Sequence, residues 1–596
     1  MKIAIASLNP TINDWSGQVS LVRRVIDSAK NETADILVLP ELAIGTPDAG
    51  DLYLRPQTAQ YAEQCLSEIA PMTTGITLVC GAPIMHEDKL YNVAAVFHDG
   101  LLIALVPKRY LDAPTDEDRY FARWDNRKPF EQHYGATFGP WHSEIPGFPK
   151  IEICLGDITC FNRLEPGTIC IELNSRPFAI NAFRDDLAAR RALSETKSLT
   201  IVRSNLLGCH DGTHIYDGGG YILENGQILS LAPRFAFEEY ILTTSDTQPP
   251  QCFDPTLALF TYAGTCPKSE DDYIFAELEL ALCLALNDYM TRAHISTLCL
   301  ALSGGRDSAM VAVLVGRLID LKYADETPEQ RRARMHALLK CAYLPSSASS
   351  SSGTQKAALA LAEHYGFDCP VIPIESIAAS AVSTIEASIG RKLTWETDDL
   401  ALQNIQARTR STVIWTLANA SNALLLNTGN LSEAAVGYAT MDGDTCGSLD
   451  PIGDIPKTLV SAWLEWARNF HNIPALDFVF AQPPSAELRP LETNQTDEAD
   501  LMPYPVLDAY IDWFIVRKYA PTKLFSLAKS HLGQYYHSDD EIRRDIRRFV
   551  TLVSRAQWKR VRFANSFSVI PYDLSPSSGL RWPCLMNAFS KSLNEL

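Results

Sequence analysis

The sequence predicts an α/β protein built from two large domains. The chain has 596 residues, more than one hydrophobic core usually accommodates. In its first part, short apolar runs alternate with helix-like stretches, and many runs end in Pro, Gly or Asn, as in layered α/β domains. In its second part, strands again alternate with helices, which favours a doubly wound parallel sheet.

The composition is that of a globular, acidic protein. Hydrophobic residues make up 46% and charged residues 21%, and 71 Asp and Glu outnumber 52 Lys and Arg, for a net charge of −19. A surface of that sign repels phosphate backbones, so we expect neither nucleic acid nor an anionic membrane as partner. The start, MKIAIASLNP, indicates a first strand and turn rather than a signal peptide. The 14 cysteines form no CxxC pair, which predicts a reduced, cytoplasmic protein.

The first domain is predicted to span residues 1–245. Its apolar runs predict strands at 36–39, 76–80, 93–98, 150–154, 169–173, 199–202 and 221–223. The following stretch is rich in Pro and polar residues (TTSDTQPPQCFDP), which indicates a linker at 246–270.

The second domain is predicted to span residues 271–596, and it begins with a helix at about 271–293. Predicted strands at 297–302, 336–344, 370–374 and 423–427 alternate with helices, the first of them at about 307–320. The tail from about residue 458 is mainly helical. The four serines at 349–352 predict, by composition, a flexible loop.

The most informative string is LCLALSGGRDS, residues 298–308. A buried strand leads into two glycines and then into a helix, so backbone N–H groups can form a cradle for an anion. Asp307 at the helix start suits a metal ion beside phosphates. No GxxxxGK[ST] string occurs, which excludes a Walker loop. The alternative is an ordinary Gly-Gly turn capped by Asp and Ser.

SGGRDS resembles the pyrophosphate loop of the N-type ATP pyrophosphatases, and later strings resemble the NAD synthetases in the same order. These strings are LPSSASS (344–350), NIQARTR (404–410), NTGNLSEAAVGYATMDGD (427–444), DIPKT (454–458) and PPSAELRPLETNQTDEADLMPYPVLD (483–508). The resemblance implies that the nicotinate carboxylate of deamido-NAD attacks ATP, and that ammonia then displaces AMP. One departure is Gln482, where the family often has Lys.

The resemblance also implies roles for individual residues. The ATP contacts would be Ala301, Leu302, Ser303, Gly304, Gly305, Arg306, Asp307, Ser308, Thr428 and Lys457. The deamido-NAD contacts would be Asn404, Arg408, Glu433, Tyr438, Ala439, Thr440, Met441 and Lys559. Asp307 and Glu433 would bind Mg²⁺, with Glu433 on deamido-NAD as the alternative. Without the resemblance, Thr428 could lie in an ordinary turn, Arg408 on a solvated helix face and Lys559 in a surface patch.

Three residues of the first domain stand at the ends of predicted strands. They are Glu41 in ILVLPE, Lys108 in LVPKRYL and Cys154 in KIEICLGD. A carboxylate can take the proton of a thiol, the thiolate can attack an amide carbon, and an ammonium can stabilise the oxyanion. The order and spacing of the three resemble the Glu–Lys–Cys site of the nitrilase/amidase superfamily, with its α-β-β-α sandwich.

That resemblance implies a glutaminase. Glu117 would be the supporting carboxylate and Ser175 a glutamine contact, and Cys160 is the alternative nucleophile. The chain departs from the superfamily pattern at the elbow, where one residue is inserted after Cys154. It also lacks a Lys after NSRPFAINAF, and a Tyr of many relatives is replaced near Pro114.

Together the two resemblances imply membership of the glutamine-dependent NAD synthetases, which use Mg²⁺ and ATP and form homo-oligomers. One alternative keeps the synthetase but makes the first domain a degenerate assembly module that leaves ammonia as the nitrogen source. Another is a different adenylating amidotransferase. The PSAELRP and QTDE strings argue against the last.

Overall fold

The chain forms two compact units. The computed structural model describes residues 1–111, 117–125, 131–133, 135–140, 148–155, 161, 163–249, 267–347, 349–483, 487–490, 496–586 and 589–596. The units are Met1–Arg292 and Ala293–Leu596. The predicted boundary at residue 271 differs from this division by one helix, because the helix that follows the predicted linker packs within the first unit.

In the part described, the first unit has fifteen strands and four α-helices. They are β1 (Ile3–Leu8), α1 (Trp15–Asn31), β2 (Ile36–Val38), α2 (Pro56–Ile69), β3 (Thr77–His86), β4 (Lys89–His98), β5 (Leu101–Pro107), β6 (Glu131–His133), β7 (Ala136–Phe138), β8 (Ile151–Leu155), β9 (Ile169–Leu173), α3 (Ala182–Lys197), β10 (Thr200–Ser204), β11 (Leu207–Cys209), β12 (Ile215–Asp217), β13 (Tyr221–Glu224), β14 (Gln227–Leu231), β15 (Tyr240–Thr244) and α4 (Glu270–Arg292). Short 3₁₀ helices occur at Pro47–Leu54, Ala70–Thr73 and Glu117–Arg119.

Two sheets stack face to face in the first unit, and helices cover their outer faces. The larger sheet has the order β15-β1-β2-β3-β4-β5-β7-β6, and the smaller has the order β14-β13-β10-β9-β8. Strand β1 is apolar throughout because both of its faces are buried. Ile3 and Ile5 face the core between the sheets, whereas Ala4 and Ala6 pack under α1 and α2. Helix α3 covers the smaller sheet. This is the α-β-β-α sandwich implied by the resemblance.

The second unit carries five strands and fourteen α-helices within its described residues. They are β16 (Leu298–Ala301), α5 (Arg306–Lys322), α6 (Pro328–Leu338), β17 (Leu339–Ala342), α7 (Ser352–Tyr365), α8 (Glu375–Ile389), α9 (Asp399–Ala420), β18 (Leu424–Leu426), α10 (Leu431–Val436), β19 (Leu449–Asp450), α11 (Lys457–Phe470), α12 (Leu476–Phe480), α13 (Asp497–Asp500), α14 (Tyr504–Tyr510), α15 (Pro521–His531), α16 (Asp539–Arg555), α17 (Gln557–Arg560), β20 (Asn565–Ser566) and α18 (Ser590–Asn594). A π-helical turn at Ile511–Val516 follows α14.

The second unit is built on a parallel sheet with the order β17-β16-β18-β19-β20. Every adjacent pair is parallel, so the carboxyl ends of all five strands lie at one edge. The chain passes from β16 outward to β17 and later returns to the other side of β16, which makes a topological switch point between β16 and β18. Ligands bind at such points in doubly wound sheets. The prediction of a doubly wound parallel sheet is confirmed.

Two local predictions in the second unit are wrong. The run 370–374 forms no strand, because only Val371 bridges to Tyr343. The serine run is ordered: Ser349 is buried and donates to Gln406, and the Ser351 side chain caps α7 by accepting from the Thr354 N–H. The hydroxyls therefore serve as caps and bridges, a use that composition does not reveal.

Within the described part of the chain, no helix is both long enough and apolar enough to span a membrane.

Candidate active sites

The first candidate site is a buried cluster of charges in the first unit. The Lys108 Nζ lies 2.6 Å from Glu41 Oε1 and 2.9 Å from Glu117 Oε2. Asn92 on β4 donates through Nδ2 to Glu41 Oε1 at 2.6 Å and to Glu117 Oε1 at 2.9 Å. All four side chains are buried. The structure therefore brings together three of the predicted residues and adds Asn92, which the sequence analysis missed because strand patterning does not distinguish it.

Strand ends and a close backbone approach position Glu41. It follows β2 by three residues, and its N–H donates to the Asn174 carbonyl at 3.3 Å, just beyond the end of β9. Gly81 of β3 lies directly beneath it, and a Cβ there would come within 2.1 Å of the Leu42 nitrogen. The sharp turn after Pro40 is therefore possible only because residue 81 has no side chain.

The electrostatics suit a proton acceptor held beside a cation. Burial raises the pKa of Glu41, although the Lys108 ammonium opposes this shift. Burial alone would lower the pKa of Lys108, but the carboxylates of Glu41 and Glu117 outweigh it and raise that pKa above its ordinary value. Lys108 therefore stays charged, and Glu41 has a basicity nearer to neutrality than an exposed carboxylate.

Cys154 lies inside β8 rather than at its end, because the strand continues to Leu155. Side chains alternate along a strand, so Ile153 and Leu155 face the core between the sheets whereas Cys154 faces the α3 side. Its Sγ lies 3.4 Å from the Sγ of Cys170, a free cysteine that is not bonded to it. Cys154 is itself disulfide-bonded. A disulfide sulfur is not a nucleophile, so attack by Cys154 requires its reduced form.

The assignment of Cys154 as the nucleophile stays a prediction. The alternative, Cys160, lies outside the described residues, as does Pro114. Ser175 lies half-buried between β9 and α3, two residues after the end of β9. Its role as a glutamine contact also stays a prediction.

A second polar cluster in the first unit was not predicted. Asp48 faces the Nδ1 atoms of His210 at 3.2 Å and of His214 at 3.5 Å, and it accepts from the Tyr216 hydroxyl at 2.8 Å. Asp48, Asp211 and His214 bring three potential metal-ligand atoms within 4.8 Å of one another. A protonated His214 already supplies the positive charge that the two carboxylates need, so we interpret the cluster as a salt-bridge network.

In the second unit, the loop 303–308 follows β16 at the switch point. Gly304 has φ = +83°, and a Cβ on it would lie 2.1 Å from the Thr354 carbonyl oxygen, so only glycine fits. The Ser303 hydroxyl accepts from the Gly305 N–H at 3.2 Å and lies 2.9 Å from the Ser308 hydroxyl. The loop thus closes onto the first turn of α5, with the shape that the sequence predicted.

Arg306, the one basic residue of this loop, extends toward α11 and α12. Its Nη1 donates to Ser461 at 2.9 Å, and its guanidinium lies 5.2 Å from the Phe480 ring centre. Gln482 lies near this region, because a Cβ on Gly353 would meet the Gln482 side chain at 2.4 Å.

Three charged residues from separate segments converge beside the loop. The Lys457 ammonium is hydrogen-bonded to Asp307 Oδ2, and it lies 3.0 Å from Glu433 Oε1. Asn430 caps α10 by accepting from the Glu433 N–H, and its Nδ2 donates to Asp307 Oδ1 at 3.3 Å. The two carboxylates thus point at one cation. Burial alone would lower the pKa of Lys457, but Asp307 and Glu433 raise it above its ordinary value.

Further acidic groups surround this centre. The Tyr504 hydroxyl is 3.0 Å from Glu433 Oε1 and 3.3 Å from Asp497 Oδ2. Burial raises the pKa of Asp497 to about 7 and that of Asp450 to about 8. The sequence analysis quoted the string that contains Tyr504 and Asp497 but assigned them no role, and Asp450 lies outside the quoted strings. Thr428, half-buried, lies in the turn after β18, beside Gly429, whose N–H donates to Asp450 at 3.1 Å.

The predicted deamido-NAD residues of α9 contact the segment 438–441. Asn404 Oδ1 accepts from the Thr440 hydroxyl at 2.9 Å, and Arg408 Nε donates to the Met441 carbonyl at 3.0 Å. They lie one turn apart on the helix, so both face the same segment.

The same segment is held from its other side. Lys559 in α17 donates to the carbonyls of Gly437 and Ala439 at 2.7 Å each, and the Tyr438 hydroxyl donates to Asp500 at 2.9 Å. Burial lowers the pKa of Lys559. The structure therefore gathers residues separated by more than a hundred positions around one loop.

Two family models match the chain. The carbon–nitrogen hydrolase model matches residues 2–146, and the NAD synthase model matches residues 279–542. The chain is therefore a two-domain protein that joins a carbon–nitrogen hydrolase domain to an NAD synthase domain.

Relatives with this arrangement align over most of the chain. A glutamine-dependent NAD(+) synthetase of Aquifex aeolicus is 28% identical over 564 residues, which cover 88% of this chain and 91% of the relative. One of Synechocystis sp. is 28% identical over 610 residues, 98% of each chain. The crystal structure of a glutamine-dependent NAD(+) synthetase from Cytophaga hutchinsonii matches with a TM-score of 0.86 at 28% identity, and covers 100% of this chain and 99% of that one. Over nearly its whole length the chain is therefore similar to glutamine-dependent NAD(+) synthetases.

Proposed function

We propose that this chain makes NAD from deamido-NAD, ATP and glutamine. The nicotinate carboxylate of deamido-NAD attacks the α-phosphorus of ATP, which releases pyrophosphate and leaves an NAD-adenylate. Ammonia then attacks the activated carbonyl carbon and displaces AMP. The ammonia comes from hydrolysis of the glutamine side-chain amide to glutamate.

One observation carries the proposal. Lys457, Asp307 and Glu433 converge beside a glycine loop at the switch point of a parallel sheet. Two polyanionic substrates must meet for the first step, so the site needs cations and N–H donors that offset their repulsion. The loop 303–308 and the start of α5 supply N–H groups, and Lys457 supplies a fixed positive charge.

We assign the substrates to the two sides of this centre. The ATP side consists of Ala301, Leu302, Ser303, Gly304, Gly305, Arg306, Asp307, Ser308, Thr428 and Lys457. The deamido-NAD side consists of Asn404, Arg408, Glu433, Tyr438, Ala439, Thr440, Met441 and Lys559. The hydrogen bonds among Asn404, Thr440 and Lys559 around one loop support this grouping.

The donor set at the centre fits Mg²⁺. Asp307 and Glu433 offer carboxylate oxygens, the ligands that Mg²⁺ prefers, and both already point at the cationic nitrogen of Lys457. We propose these two residues as its ligands. When bound, the ion would offset the negative charge of the phosphates.

In the first unit we assign the glutaminase. Glu41 takes the proton of the nucleophilic thiol, for which we keep Cys154, and the thiolate attacks the amide carbon of glutamine. Lys108 stabilises the oxyanion, Glu117 supports Lys108, and Ser175 contacts glutamine. The tetrahedral intermediate collapses to a thioester as the C–N bond breaks, and the leaving nitrogen takes the proton from Glu41 and departs as ammonia. Water then hydrolyses the thioester to glutamate, which regenerates the thiol.

We further propose that the protein is a homo-oligomer in the cytoplasm. Helix α8 supports the first point, because none of its residues is buried although it is rich in Ala and Ile. Ile377, Ile385 and Ile389 lie on one face of it, and each is exposed by 45–48%. Multi-angle light scattering should give a mass above that of one chain, and Ile385→Asp should lower it. A monomeric wild type would contradict the proposal.

The decisive experiment supplies deamido-NAD and Mg²⁺-ATP and compares the NAD formed with glutamine and with ammonium chloride. A reductant is included, because only the reduced Cys154 thiol can act as a nucleophile. We expect activity with both nitrogen sources. Glu41→Gln should abolish the glutamine-driven reaction alone, whereas Asp307→Asn should abolish both. A wild type that forms NAD only from ammonium chloride would contradict the glutaminase assignment.

The nucleophile is tested separately, with a neighbouring thiol as control. Cys154→Ala should remove glutamine-driven synthesis and leave ammonia-driven synthesis intact. Cys170→Ala is the matched control, since burial raises the pKa of the Cys170 thiol well above its usual range and keeps it inert. If Cys160→Ala removes the glutamine-driven activity while Cys154→Ala does not, the nucleophile is Cys160.

A further inference from the structure

Asn92 is enclosed between the two carboxylates of the glutaminase cluster. It lies in the middle of β4 and has no solvent-exposed surface. Both of its donated hydrogen bonds come from Nδ2, one to Glu41 Oε1 at 2.6 Å and one to Glu117 Oε1 at 2.9 Å. Its own backbone carbonyl accepts from the Lys108 N–H at 2.8 Å, so the backbone of β4 also holds Lys108 in place.

The orientation of the Asn92 amide is determined by these carboxylates. Its Oδ1 is buried and has no hydrogen-bond partner. Rotating the amide by half a turn would place that oxygen against both carboxylates, which is repulsive, so the present orientation is the only favourable one. A buried, unpartnered carbonyl is disfavoured in proteins. It is tolerated here because the amide nitrogen serves both acids.

The bonds leave the two oxygens of Glu41 with different roles. Asn92 Nδ2 and Lys108 Nζ both donate to Oε1, each at 2.6 Å. Within the described part of the chain, Oε2 accepts no hydrogen bond. A general base needs a free lone pair that points at the proton it removes. Oε2 is thus the available acceptor, and its direction is set by the two bonds to Oε1.

Asn92 can orient the Glu41 carboxylate without changing the net charge of the cluster. Glu41 faces two charged groups, Lys108 just after β5 and Glu117 in its 3₁₀ turn. Its negative charge also contributes to raising the pKa of Tyr53, in the 3₁₀ helix Pro47–Leu54. A second cation between the acids would neutralise the base. A neutral amide instead screens the repulsion between Glu41 and Glu117, and its hydrogen bond favours the ionised form of Glu41.

We propose that Asn92 is a positioning residue for glutamine hydrolysis, which fixes the Glu41 carboxylate so that its Oε2 is left as the proton acceptor, without touching the substrate. The proposal rests on the glutaminase function proposed above. It predicts a loss in the rate of hydrolysis, with little change in the affinity for glutamine.

The test measures glutamate release and NAD formation in Asn92→Leu, which keeps the size but donates nothing, and in Asn92→Asp, which keeps the shape and adds a charge. We expect kcat for glutamate release to fall about a hundredfold, the usual effect of a misplaced acid–base group. The KM for glutamine should change less than threefold, and ammonium-driven NAD formation should remain within twofold of wild type.

A pH profile separates positioning from folding. The Asn92 bond lowers the pKa of Glu41, so its loss should move the acidic limb of the glutamate-release profile to higher pH in both variants. The matched control is Asn287→Leu, because Asn287 is also buried in the first unit and donates to a carboxylate, that of Asp288 at 2.9 Å. The control should leave the acidic limb unchanged.

Two results would overturn the inference while leaving the function intact. One is an Asn92→Leu enzyme with the wild-type rate and acidic limb. The other is an Asn92→Leu enzyme that loses ammonium-driven and glutamine-driven activity in equal measure, as a folding residue would. A wild type that releases no glutamate is a different outcome, because it overturns the glutaminase function itself and the inference with it.

Discussion

Lys457 in the first turn of α11 is hydrogen-bonded to Asp307 in the first turn of α5, across 150 positions of sequence. Both helices start at the carboxyl edge of the parallel sheet, so their first turns meet where a doubly wound fold binds its ligand. The pair links the glycine loop to the DIPKT string, and it combines a fixed cation with a carboxylate that fits Mg²⁺.

Removal of this ammonium should affect both stability and activity. Lys457→Met leaves the half-buried carboxylates of Asp307 and Glu433 without a counter-charge, and breaking a buried pair costs up to about 3–5 kcal/mol. Urea denaturation should show a loss of that order in unfolding free energy, and NAD formation should fail with either nitrogen source. Lys457→Arg, which keeps the charge, should recover part of the stability. Unchanged stability in Lys457→Met would contradict the pairing.

The glycine loop allows a matched pair of substitutions. Gly304→Ala places a Cβ 2.1 Å from the Thr354 carbonyl at φ = +83°, and should lower the unfolding free energy by about 1–3 kcal/mol. Gly305→Ala is the control, since its φ is −84° and the nearest atom lies at 3.4 Å. Thermal unfolding of the two variants measures the difference. Equal midpoints would mean that the loop adjusts freely.

The network around Asp48 predicts a pH-dependent contribution to stability. Burial opposes the charge on His214, but Asp211 and Asp48 outweigh it and raise the pKa of the imidazole well above its usual value. Because the folded pKa is higher than the unfolded one, this stabilisation is fully present below about pH 6.5 and is lost as pH rises through the folded pKa. His214→Gln should therefore lower the thermal midpoint most at pH 5.5, and the gap from wild type should narrow as the pH rises through the folded pKa of His214.

The control for this pH series is His336→Gln, because His336 pairs with Asp368 on the surface. That variant should track wild type across the range. A gap between wild type and His214→Gln that stays constant with pH would show that His214 acts through packing alone.

Lys559 should determine the affinity for deamido-NAD rather than for ATP. It donates to the carbonyls of Gly437 and Ala439, so Lys559→Met should loosen the segment 438–441. Steady-state kinetics should show the KM for deamido-NAD rising about tenfold, as expected for lost hydrogen bonds to a charged group. The KM for ATP should stay unchanged. Arg555→Met, an exposed neighbour, is the control, and an equal effect on both KM values would contradict the assignment.

Much of the fold was predictable because it depends on local pattern. The strand predicted at 169–173 is observed as Ile169–Leu173, and the helix predicted at about 271–293 is observed as Glu270–Arg292. Runs of Ile, Val and Leu bounded by Gly or Pro identify buried strands without further information. The same pattern gave a wrong strand at 370–374, because apolar residues beside a sheet edge can be packed against the sheet without pairing as a strand.

The site was predictable only where a motif carries its own geometry. Gly304 and Asp307 could be assigned from SGGRDS, since a strand, a glycine turn and a helix start define the loop locally. Asn92 and Tyr504 could not be found that way, because each acts by facing residues from other segments. Cys154 shows the same limit, because the sequence alone did not reveal that its side chain packs on the α3 side of β8.

The sequence by itself determined the two-domain α/β organisation, the glycine loop after β16 and the identity of the charged residues. Only the tertiary structure decided which of them meet, that Lys457 serves both Asp307 and Glu433, and that Asn92 joins Glu41 to Glu117. The physical reason is the sequence separation over which each kind of interaction acts. Strand and helix patterns depend on neighbours a few positions apart, whereas charge pairing in a buried site depends on distances of a few ångströms between segments that the chain order keeps far apart.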